Sequence, residues 1–170
     1  MQRVAEFEKV SYNEFSKSWK KIFPLAKEED IKAIYDNIIL PIRATKGSAG
    51  YDFFSPIDFT LSSNQTILMP TGIRIKIEEG WFLGVFPKSG LGFKYRLQLD
   101  NTAGIIDSDY YYSDNEGHIF VKLTNDSKWE NTLNIKQSQS ICQGILLSYG
   151  ITFSDNASAI RNGGLGSTTK

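Results

Sequence analysis

The chain has 170 residues, with 19 basic and 19 acidic side chains, one His and one Cys. That length suits one globular domain with a real core, and a formal net charge of zero argues against a broad basic field for long nucleic acid. The lone Cys142 excludes an internal disulfide framework and a cysteine-rich zinc site, and the lone His118 argues against a His-dependent metal centre. No apolar stretch approaches the ~18 residues of a membrane span. The N-terminal MQRVAEFEKV carries charges where a signal peptide needs an apolar run, so a cytoplasmic protein is the expectation.

In chain order, MQRVAEFEKV reads as a short strand. Ser11 followed by Glu14 reads as a capping box, each side chain satisfying a free amide of a first helical turn. Phe15, Trp19, Ile22 and Phe23 recur at helical spacing, giving an amphipathic helix that ends near Pro24. EEDIKAIYDNI gives a second short helix, with Ile31, Ile34 and Tyr35 on one face. A packed helical cap is the favoured reading of this region.

From Ile38 onward the period becomes two. Ile73, Ile75 and Ile77 alternate with Arg74 and Lys76, and Ile119, Val121 and Leu123 alternate with Phe120, Lys122 and Thr124. Leu133 and Ile135 repeat the pattern briefly. Such alternation buries one face of a strand. Turn signals separate the strands at Lys46-Gly47-Ser48, Pro70-Thr71-Gly72, Glu79-Gly80, Lys88-Ser89-Gly90 and Asn115-Glu116-Gly117. The expected fold is all-β, a jelly-roll-like sandwich or barrel with a short helical N-terminal extension. The division expected is 1–37 for the extension, 38–153 for the β domain and 154–170 for a flexible tail.

Five segments place turn residues beside polar groups: SAGYDF (48–53), PKSGL (87–91), GIIDSDY (104–110), Cys142-Gln143 and RNGGLGST (161–168). Each alone is weak. A calcium-loop reading of DSDYYYSDNEG fails, because Tyr112 stands where that loop needs Gly and Tyr111 replaces an oxygen ligand. Together and in this order, the five segments resemble the motifs of the trimeric dUTP pyrophosphatases, SAGxDL, PRSGL, GxIDxDYxG, an Ala-Gln motif and RGxGGFGST. The resemblance covers residues 38–170.

The resemblance implies hydrolysis of dUTP to dUMP and pyrophosphate, with Mg²⁺, by a cytoplasmic homotrimer whose sites are shared between subunits. It implies no nucleic-acid polymer and no membrane as partner. Asp107 aligns with the aspartate that activates the attacking water, and Asp109 with a structural one. Tyr110 aligns with the ring beneath the deoxyribose, whose flat face leaves no room for a 2′-hydroxyl. Asn101, with backbone groups at Gly104 and Ile106, aligns with the contacts to the uracil edge. Cytosine there would leave buried polar groups unpaired. Small residues such as Ala103 and Gly104 permit a close approach that excludes the methyl of thymine. Lys88, Ser89 and Gly90 fall on the phosphate-binding turn, and Gln143 aligns with a triphosphate contact. Arg161 aligns with a contact to the terminal phosphate. Leu165 falls over the base, and Gly166, Ser167 and Thr168 add donors from a closing tail. No direct protein ligand to Mg²⁺ is implied; the triphosphate and water hold it, with Asp52 nearby.

Several positions depart from the pattern. Lys88 stands for Arg and loses the two-pronged phosphate contact. Leu165 stands for a stacking Phe, and the tail is one residue shorter after Arg161. Ser138, Ser140 and Cys142 stand for Gly, Arg and Ala. Six residues, 111–116, stand where the family has about one; a longer solvated turn is the expectation there. These changes leave a second reading, a catalytically weakened nucleotide-sensing or protein-interaction module on the same fold. A dCTP deaminase is disfavoured by the tyrosine and tail motifs.

Overall fold

The structure is a computed structural model that describes residues 2–163. Strand β1 (Ala5–Lys9) is followed by helices α1 (Tyr12–Ile22) and α2 (Glu28–Asp36). Short strands follow: β2 (Ile42–Arg43), β3 (Tyr51–Phe54), β4 (Phe59–Leu61), β5 (Thr66–Pro70), β6 (Ile73–Ile77) and β7 (Trp81–Pro87). Helix α3 (Ser89–Tyr95) precedes β8 (Leu97–Leu99) and β9 (Gly104–Asp107). A 3-10 turn over Ser108–Tyr112 leads to β10 (Phe120–Asn125), β11 (Leu133–Ile135) and β12 (Ser140–Ser148).

The first helix starts as its sequence requires. Ser11 is extended, and its Oγ accepts the Glu14 N–H at 3.2 Å. The other half of the expected capping box is made differently. The Ser11 N–H donates to Glu116, at 2.7 Å, while the Glu14 carboxylate accepts from Ser18 Oγ. A distant carboxylate therefore does what the local one was expected to do. α2 has no side-chain cap, but Glu28, Glu29 and Asp30 fill its first turn, where the helix dipole favours anions. Its last carbonyls receive Lys9 Nζ, at 2.9 Å on Tyr35 and 3.2 Å on Asp36. The helices share their core with the strands. Phe15, Trp19 and Ile31 are buried in the same apolar cluster as Met69, Ile73, Ile75 and Leu123.

Every strand pairing is antiparallel among the described residues. One sheet has the order β2-β3-β12-β7-β9 and a second the order β5-β10-β8. Two-stranded pairs β1-β6 and β11-β4 complete the set, and no closed barrel forms among the described residues. The alternation read from the sequence is seen directly. Ile73, Ile75 and Ile77 are buried on β6, and Val121 and Leu123 on β10. No helix among the described residues is long and apolar enough to cross a membrane.

One local expectation changes. Lys88-Ser89-Gly90 is the start of α3 and not an isolated turn, because Gly92 N–H closes onto Lys88 O at 2.8 Å. The strand that ends at Asp107 does not pair with the strand before it. β8 pairs with β10 and β9 pairs with β7, so residues 100–103 carry the chain from one sheet to the other. Thr102, at φ 65°, makes that crossing tight by donating its N–H to Leu99 O at 2.8 Å.

Candidate active site

The crossing between the two larger sheets opens a cavity of about 440 Å³. Leu68, Val85, Leu99, Ile119 and Val121 make its apolar walls. Asn101, Asp107, Tyr110, Lys122 and Arg161 give it polar groups, and Gly104 and Ile106 complete the edge along β9. An apolar slot with a few polar groups is suited to a flat, partly polar ring. Six of the residues singled out in the sequence therefore converge here: Asn101, Gly104, Ile106, Asp107, Tyr110 and Arg161.

Tyr110 is 6% exposed. Its hydroxyl donates to His118 O at 2.8 Å and accepts from Asn115 Nδ2 at 2.8 Å. Burial pushes the phenol above its ordinary range, so it stays protonated and remains a donor. Asp107 ends β9 opposite Phe82 of β7 and is about half exposed. Arg161 pairs with the carboxylates beside Tyr110. Its Nη2 lies 2.5 Å from Asp107 Oδ2, its Nε 2.9 Å from Asp109 Oδ1, and its guanidinium 5.7 Å from the Tyr110 ring centre.

A second group forms at the other end of β7. Lys88 Nζ lies 2.6 Å from both Asp52 carboxylate oxygens. Gln143 on β12 is in register with Asp52 on β3 and Phe86 on β7, and its Nε2 donates to Pro87 O at 3.1 Å. The absence of a side chain at Gly50 makes room for it, since a Cβ there would meet Gln143 Oε1 at 2.5 Å. Ser89 and Gly90 are exposed in the first turn of α3, where backbone amides have no intrahelical acceptor. Cys142 is fully buried, and burial, with Asp52 adding to it, pushes its thiol up to about 12. It acts as an apolar side chain and not as a nucleophile.

The two groups belong to one chain but not to one contact sphere. Asp107 is opposite Phe82, and Lys88 stands six residues further on, just past the end of β7 at Pro87. At strand rise that is on the order of 20 Å. Leu165, Gly166, Ser167 and Thr168 lie outside the described residues.

Two residues that hold the Tyr110 hydroxyl have no signal in the sequence. In the sequence His118 is only a residue too solitary for a metal centre. It is fully buried, and its Nε2 accepts the Gly72 N–H at 2.8 Å. Asn115 belongs, in the sequence, to a turn signal. Its contact to the Tyr110 hydroxyl depends on the path of the 3-10 turn, which no residue pattern announces.

The dUTPase family model matches residues 36–169. The chain is 37% identical over 147 residues to the deoxyuridine 5′-triphosphate nucleotidohydrolase of Dictyoglomus turgidum, a match covering 81% of this chain and 95% of that relative. It superposes on the crystal structure of dUTPase from Streptococcus mutans with TM-score 0.62 at 26% identity, covering 86% of this chain and 97% of that one. A mutant dUTPase from phage phi11 of S. aureus, described with a structural Mg(II) ion, shares the fold at TM-score 0.62 and 16% identity, covering 92% of this chain and 98% of that chain. The chain belongs to the dUTPase family.

Proposed function

We propose that the protein hydrolyses dUTP to dUMP and pyrophosphate, with Asp107 as the base for the attacking water. The observation that carries this reading is the meeting of Asn101, Asp107 and Tyr110 around one apolar-walled cavity. Uracil enters the slot, with Asn101 and the backbone of Gly104 and Ile106 reading its edge. The deoxyribose lies on the face of Tyr110. Asp107 takes a proton from water as the water oxygen bonds to the α-phosphorus. The bond from that phosphorus to the bridging oxygen breaks, and pyrophosphate leaves. Arg161 now holds the carboxylate that this step needs, so the step requires Arg161 to move off Asp107, onto the phosphates.

The family's Mg²⁺ neutralises charge on the phosphates when bound. The donor set suits a hydrated ion held by the nucleotide. Asp52 engages Lys88 through both oxygens, and Asp107 can accept hydrogen bonds from the ion's waters. Lys88, Ser89, Gly90 and Gln143 bind the phosphate chain. Because they stand far along β7 from Asp107 of the same chain, they serve the Asp107 of a neighbouring copy. This supports a homotrimer with shared sites. The two larger sheets support a jelly-roll-like domain over 38–153, with 1–37 packed against it and 154–170 as the closing tail. A cytoplasmic place of action is part of the same reading.

Mixing two inactive variants tests the shared site. Asp107→Asn and a Lys88→Ala/Ser89→Ala double variant are each expected to lose turnover. Unfolded and refolded together, they should regain dUTP hydrolysis, because some sites combine an intact Asp107 with an intact phosphate group. No recovery in a properly assembled mixture means that each chain builds its own site.

A further inference from the structure

The segment 111–116 is not the solvated turn its composition suggests. It is fastened at both ends to the start of the chain. At one end the Tyr111 hydroxyl donates to Glu8 Oε2 at 2.9 Å, and the Arg74 guanidinium lies 4.5 Å from the Tyr111 ring centre. At the other end Glu116 accepts from both the N–H and the hydroxyl of Ser11. Between these anchors the loop turns inward onto Tyr110. Ser113 Oγ donates to Tyr110 O at 2.7 Å, and Asn115 Nδ2 donates to the Tyr110 hydroxyl at 2.8 Å. Gly117, at φ +71°, closes the loop so tightly that a Cβ would come within 2.9 Å of Tyr110 O.

We propose that Asn115 is a positioning residue for Tyr110 and, through it, a determinant of the choice between deoxyribo- and ribonucleotides. This rests on the reading of Tyr110 as the surface beneath the sugar. Asn115 does not line the cavity; it acts on the ring from behind. The phenol oxygen has one proton, given to His118 O, and accepts one N–H from Asn115. Two bonds in different directions fix the tilt of the ring, whereas one leaves it free to swing. A ring free to swing makes room for the 2′-hydroxyl it is meant to exclude. Asn115→Asp keeps the shape and removes the donor. The phenol proton must then choose between two acceptors, and one of them is left unpaired.

The test is the ratio of kcat/KM for dUTP to kcat/KM for UTP. This ratio does not depend on how much of the sample is folded, so a variant that only destabilises the protein leaves it unchanged. Asn115→Asp and Asn115→Ala are each expected to lower the ratio by about tenfold, the scale of one buried hydrogen bond. Tyr110→Ala, measured alongside, should collapse it. If Tyr110→Ala collapses the ratio and both Asn115 variants leave it at the wild-type value, the positioning role is wrong and the reading of Tyr110 stands. If Tyr110→Ala also leaves it unchanged, both fall.

Discussion

Asp107→Asn is expected to lower kcat on dUTP by about 10³-fold while leaving binding of a non-hydrolysable dUTP analogue near the wild-type level. Asn fills the same space but cannot take the proton of the attacking water. Among the described residues, no contact of the Asp107 carboxylate is fully buried. Its observed partner is Arg161, and the carboxylate is half exposed, so losing that pair changes stability little. Single-turnover hydrolysis and analogue titration measure the two halves separately. Turnover near the wild-type rate would remove Asp107 from the chemistry. Lost binding together with lost turnover would make it a ligand contact and not a base.

The second large effect is on stability against acid. His118 Nε2 accepts from Gly72, so the ring is neutral with its proton on Nδ1, 3.7 Å from Glu14 Oε1. Phe15 and Phe120 pack against the imidazole. Burial pushes its pKa down from 6.5 to about 4, with Glu116 pulling weakly the other way. The sign follows from the proton count. Above pH 6.5 the ring is neutral in both states, and the contribution is whole. Between 6.5 and 4 only the unfolded chain takes up the proton, so stability is lost as pH falls. Below 4 both states are protonated, and this group costs no more. The full loss is about 3 kcal/mol. His118→Gln retains an acceptor for Gly72 but does not titrate here. Denaturant unfolding at pH 7 and pH 4.5 should therefore show a markedly smaller decline for the variant. Equal declines would place the acid sensitivity elsewhere.

What the sequence disclosed follows from the range of each interaction. The alternation at Ile73–Ile77 is local, and it predicts burial correctly because the pleat itself sets which side chain faces in. The helix at Tyr12 was equally legible from Ser11 and the spacing of Phe15 and Trp19. The cap of that helix was only half legible, since its second partner, Glu116, is 105 residues away. The motif residues Asn101, Asp107 and Tyr110 do share a cavity, and a pattern of residue types could point to them. The placement of Arg161 on Asp107 could not be read in this way, because it depends on where a tail without apolar anchors comes to rest. Nor could the role of Asn115, which lies in a polar run that composition alone assigns to solvent. The two ends of β7 teach the same lesson at larger scale. Motif order brought Lys88 and Asp107 into one list, and strand geometry set them far apart.

Whether this member of the family is an active dUTP pyrophosphatase is decided by its products. The protein is incubated with dUTP or dCTP and Mg²⁺, and pyrophosphate and ammonia are measured. Pyrophosphate and dUMP are expected from dUTP, with no ammonia from dCTP. Ammonia from dCTP, or tight binding of dUTP with no pyrophosphate released, would rule out pyrophosphatase activity.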